Sequence, residues 1–131
     1  MPGWGTGSFE NEDAQNFLAE LHLKTPEDLK KILAGAADEI EYLEAPQSGV
    51  VIAAAEVVAT AKGAPPQTVP PQIAEWVGKI EGAPSAEMNE LAQRAVHKVR
   101  TNSELRDLWQ EAEGVNEWCA ELRELEERLA E

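Results

Sequence analysis

Apolar positions recur at helical spacing almost from end to end of the chain. Over 12–21 they are Ala14, Phe17, Leu18 and Leu21, which share one face of a helix. Asn11 stands where a cap is needed, and Glu12 and Asp13 suit the positive end of the helix dipole. Thr25-Pro26-Glu27-Asp28 predicts a second start, with a capping threonine and a proline at the first helical position. Leu29, Ile32, Leu33, Ala36, Ile40 and Leu43 then mark one face, which Pro46 is expected to end.

The segment 48–62 differs in kind. GVVIAAAEVVATA is apolar on every side, which predicts the central helix of the fold. Its β-branched residues would also suit a strand. Three consecutive alanines, the stop at Gly63 and the lack of a partner strand favour helix. Residues 63–71, with four of the eight prolines, predict a rigid loop. A fourth helix is expected over 71–81 with Ile73, Trp76, Val77 and Ile80 inward, ended by Gly82-Ala83-Pro84. Ser85 opens a fifth, whose face is Met88, Leu91, Ala92, Ala95, Val96 and Val99.

Asn102 or Ser103 caps the last segment, striped by Leu105, Leu108, Ala112, Val115, Cys119, Leu122 and Leu129. This is one kinked helix or two meeting near Gly114-Val115-Asn116, with a kink or short break favoured. The expected fold is all-α: a single compact bundle of six or seven helices spanning 1–131.

Ahead of the helices, Gly3, Gly5 and Gly7 surround Trp4, and Phe9 follows. No basic or apolar stretch of a signal peptide accompanies them, so residues 1–10 read as a structured arm that plugs its indole into the bundle. The longest apolar run, Val50 to Ala61, is interrupted by Glu56 and falls short of the ~20 residues that span a bilayer. No membrane association is expected. The one cysteine, Cys119, excludes an internal disulfide, fits a reducing, cytoplasmic setting and lies on an apolar pattern as a core residue would.

Charge narrows the functional classes. The net charge is −14; residues 1–45 and 103–131 each carry −7, while 46–102 is neutral. Nucleic-acid binding needs clustered cations, and only Arg94, Lys98 and Arg100 group together, so no nucleic-acid partner is expected. Acidity of this degree supports solubility and also suits a basic protein partner, such as a nuclease whose DNA-binding groove is masked.

Chemistry-bearing residues are sparse. His22 and His97 belong to no ligand-spaced cluster, so neither a metal nor a cofactor is expected. Gly5-Thr6-Gly7 lacks the lysine of a phosphate loop, and Ser8, Ser48, Ser85 and Ser103 have no visible base partner, so no catalytic residue is assigned. Glu56 is the exception. An unpaired carboxylate inside the most apolar segment would be costly. It is therefore expected at a helix edge, or satisfied by an arginine, an indole or the arm; the sharper reading makes it a pocket carboxylate. Trp109 and Trp118, nine residues apart and just off the last stripe, are candidate interface anchors beside Glu117 and Glu121, with core packing as the plainer role.

The opening Trp4-Gly5-Thr6-Gly7-Ser8-Phe9-Glu10-Asn11-Glu12-Asp13-Ala14 resembles the N-terminal signature of the bacterial family known as domain of unknown function 4259. Phe17 in the first helix, the run Ala53-Ala54-Ala55-Glu56 and Ser103-Glu104-Leu105-Arg106-Asp107-Leu108-Trp109 extend the resemblance along the chain. It implies a small helical domain with no established activity. Glu10 and Glu12 stand where members of that family often have aspartates, and Asn16 replaces an acid, which counts against acid–base or metal work there and is compatible with capping.

Two functional expectations follow. The first is a non-enzymatic binding or inhibitory module of the immunity or antitoxin kind, masking a basic partner through Trp109, Trp118, Glu117 and Glu121. The alternative is a small-ligand binder or enzyme with a pocket between arm and central helix, lined by Trp4, Asp13 and Glu56. Either a monomer or a homodimer paired along 105–129 fits the pattern.

Overall fold

In the computed structural model, which describes residues 5–39, 42–80 and 82–130, the chain forms an all-α bundle. Its seven α-helices, among the described residues, are α1 (Glu12–Glu20), α2 (Pro26–Ala37), α3 (Ala45–Ala61), α4 (Pro71–Lys79), α5 (Ala86–Thr101), α6 (Glu104–Glu111) and α7 (Val115–Ala130). A single 3-10 turn, Leu21–Leu23, follows α1.

The starts are set by side chains that occupy orphan amides. Asn11 Oδ1 accepts from the Ala14 amide at 2.8 Å. Thr25 and Asp28 form a reciprocal box, each side chain accepting the other's backbone amide, at 3.2 and 2.9 Å. The Thr25 amide, then its hydroxyl, holds the Asp28 carboxyl below its ordinary range. Ser85 and Ser103 cap α5 and α6 in the same way.

Helix α3 runs through the centre and packs against all six others. Every residue from Val51 to Ala59 is buried, which is why this segment has no polar face. Gly49 lets α1 approach closely: a Cβ there would lie 2.9 Å from Asn11 Oδ1 and 3.2 Å from the Asp13 Cβ.

Pro46 does not end α2. That helix stops at Ala37, and Pro46 sits in the first turn of α3, where a missing amide costs no intrahelical bond. Leu43 is buried, but through a parallel bridge to Ser103 rather than on a helix face. Ile40 lies outside the described residues. The start of α3 is completed from across the fold: the Glu104 amide donates to the Leu43 carbonyl, and the Glu104 carboxylate accepts from the Ala45 amide, both at 2.8 Å.

The C-terminal segment is two helices. The Gly114 amide donates to the Trp109 carbonyl at 3.0 Å and the Glu113 amide to Gln110 at 3.2 Å, a Schellman ending with Glu113 left-handed at φ 63°. Glycine is needed one residue later, because a Cβ on Gly114 would come within 2.7 Å of the Trp109 ring. This break resets the helical phase. Leu105 and Trp109 are buried from α6, then Trp118, Leu122, Leu125 and Leu129 from α7, while Ala112 is exposed and Cys119 half-buried. A single stripe through all of 105–129 therefore gives way to two, and the tryptophans lie on them.

Candidate functional site

Glu56 projects from the middle of the central helix and is only 3% exposed. Arg128, in the last turn of α7, meets it fork to fork: Nη1 donates to Oε1 at 2.8 Å and Nη2 to Oε2 at 3.1 Å. The hydroxyl of Ser8, on the N-terminal arm, donates to Oε2 at 2.6 Å. The rest of the guanidinium is also engaged. Its Nε donates to Glu124 at 2.6 Å, and Nη1 also donates to the Ala64 carbonyl at 3.2 Å.

One buried carboxylate thus joins four pieces of chain: the arm, α3, the loop after it and α7. Lys62 strengthens the same corner, donating from Nζ to the Arg128 and Leu129 carbonyls at 2.9 Å each, where the open end of α7 attracts a cation. Burial alone would lower the Arg128 pKa. The hydrogen bonds and charges of Glu56 and Glu124 outweigh that and hold it above its ordinary value. Arg128 therefore keeps its positive charge opposite Glu56.

Beside the pair lies a recess of about 300 Å³, bounded by Gly7 to Glu10 of the arm, by residues 66–68 and by α7. Glu10, Glu121 and Glu124 reach it from the rim, so carboxylates outnumber Arg128, the sole cation in its lining. Among the described residues, no cluster of three or more His, Cys, Asp and Glu could hold a metal ion.

The structure assembles only part of the expected ligand site. Trp4 lies outside the described residues. Asp13 is not brought to Glu56: its Cβ rests against Gly49, seven residues or roughly 10 Å earlier along α3, and it borders a separate groove with Lys31 and Pro46. Ser8 takes the place expected of these two.

The expected partner surface is also reduced. Trp109 and Trp118 are 7% and 3% exposed, buried on either side of the break at Gly114, as the plainer core role has it. They offer no anchor to a partner. Glu117 and Glu121 remain exposed on α7. Both histidines are exposed; His97 belongs to a tie between α5 and α7, where Arg100 donates to Glu126 at 2.6 Å and to His97 Nδ1 at 3.1 Å.

Sequence reasoning missed Arg128, Ser8 and the Arg100–Glu126 tie. Position 128 lies three residues after Leu125 and next to Leu129, at the edge of the buried stripe of α7. A cation there is the natural match for a lone acid in an apolar helix, and that signal was available. Ser8 and Glu126 carry no comparable signal, since Ser8 lies in a glycine-rich arm and Glu126 in a run of charged residues.

The profile of the family described as domain of unknown function 4259 matches residues 3–121, and the chain belongs to that family. Among curated proteins and solved structures, none matches the chain. No helix among the described residues is long and apolar enough to cross a membrane.

Proposed function

We propose that this member of the domain of unknown function 4259 family is a non-enzymatic acidic module that binds and masks a basic protein partner. The supporting observation is the outward face of α7. Glu117, Glu121 and Glu124 stand there at i, i+4 and i+7, and among the described residues no ion pair involves Glu117 or Glu121. Like charges at this spacing destabilise a helix by a few tenths of a kcal/mol per pair, and a cationic partner would relieve that repulsion. Glu56, the most distinctive acid, is already committed to Arg128 and Ser8, which favours a structural duty for it over chemistry.

Binding to a fluorescent oligo-lysine peptide tests this reading. The native protein should bind with an affinity that falls steeply with salt. The double variant Glu117→Lys/Glu121→Lys should lose about tenfold or more, whereas Glu27→Lys/Glu90→Lys, which changes net charge equally elsewhere, should lose far less. Equal losses from the two double variants would reduce the effect to diffuse charge and remove the proposed surface.

A second reading rests on the recess of about 300 Å³ beside Glu56. Its carboxylate excess suits a small cationic ligand. Spermidine should then raise Tm, and Ser8→Phe, placed at the recess wall, should abolish the rise.

A further inference from the structure

A separate cavity of about 250 Å³ lies where α2, α3, α4 and α5 converge, away from Glu56. Its lining joins the buried Leu29, Val58 and Trp76 to the partly buried Ala61, Ile80 and Met88. No ionisable side chain lines it. The indole of Trp76 is held in place because Nε1 donates to the Lys24 carbonyl at 2.8 Å. Its polar edge is thereby satisfied, and the ring is left to make apolar contact. The rim includes Pro26, Gly82 and Ala83, all exposed, so entry needs no opening of the core.

We infer that this cavity is a binding site for an uncharged one- or two-ring aromatic compound. Size sets the upper bound: an apolar cavity of about 150 Å³ accepts benzene, so 250 Å³ holds roughly ten heavy atoms. Chemistry sets the charge: with no partner in the lining, an ionised group would lose its hydration without compensation. Trp76 sets the shape preference, since aromatic rings pair favourably in offset or edge-to-face geometry. This site does not depend on the acidic face of α7.

Toluene, naphthalene and benzoate, titrated in turn into the native protein and followed by methyl NMR, provide the test. Toluene and naphthalene should shift the signals of Leu29, Val58, Ile80 and Met88 saturably, with naphthalene binding tighter, and should raise Tm. Benzoate, the ionised analogue, should do neither. Ala61→Leu, which extends a side chain into the space, should abolish the shifts; if it fails to fold, Met88→Phe occludes the cavity from another side. Non-saturating shifts, shifts spread over the surface, or unchanged binding in the occluded variant would overturn the assignment.

Discussion

Two arginine–carboxylate ties anchor α7, and they differ in setting rather than in chemistry. Arg128 reaches inward to Glu56, with side-chain exposures of 14% and 3%. Arg100 reaches Glu126, two residues earlier on α7, at 16% and 15%. The inner pair is roofed by Ser8 and the Ala64 carbonyl, and its acid is far better buried than that of the outer pair, so Glu56 depends on its protein partners. The outer pair is joined by exposed His97 and keeps access to solvent. The same two side chains thus make a structural keystone at one position and an adjustable edge contact at the other.

Removing the inner cation should have the largest effect. Arg128→Met leaves Glu56 buried with only the Ser8 hydroxyl, and unfolding in urea should show a loss of about 3 kcal/mol. Adding Glu56→Leu should restore most of it, because replacing a buried pair by apolar side chains is often neutral. A double variant no more stable than Arg128→Met would mean that the pair itself holds α3 to α7.

The outer tie should yield less. Arg100→Met is expected to cost between about 1 and 2 kcal/mol, with part of that cost disappearing in high salt. Equal losses for Arg100→Met and Arg128→Met would erase the contrast. Ser8→Ala should cost about 1 kcal/mol, for one hydrogen bond to a charged acceptor. Faster amide exchange should appear in residues 5–10 of this variant, since Ser8 fastens the arm.

A third tie, fully at the surface, extends the series to its weak end. The Tyr42 hydroxyl donates to the Asp107 carboxylate, and that bond leads the causes that push the phenol up to about 12 from 10.0. A raised phenol pKa means the neutral form is favoured in the folded state. Whatever stability the contact contributes is complete below pH 10 and is lost as pH rises through about 12. Tyr42 is the only tyrosine, so tyrosinate absorbance reads this group alone. Asp107→Ala should bring its midpoint back towards 10, and an unmoved midpoint would remove the tie.

The legible and illegible parts of the fold divide along the same line. Caps at Asn11, Thr25, Ser85 and Ser103 act within three residues of themselves, so the starts of α1, α2, α5 and α6 could be read locally. Position 46 misled because proline breaks the interior of a helix but is welcome in its first turn, and only the surroundings say which applies. For Trp109 and Trp118 core packing was the plainer role, and both are buried; the single stripe projected through Gly114 assumed unbroken phase and so left them beside it. Glu56 was recognisable as an acid in need of a partner; which partner was not.

The amino-acid sequence by itself determined that the chain is helical, where its four side-chain-capped helices begin, that 48–62 is the central one, and that Glu56 had to be compensated. These follow from periodicity, capping and the cost of burying charge, which act over a few residues or on one. Tertiary structure alone decided that Arg128 and Ser8 supply the compensation, across 72 and 48 residues, that Glu104 completes the start of α3, and that the tryptophans turn inward. Those choices depend on which surfaces meet when the helices pack, and a linear pattern carries several arrangements of equal local quality.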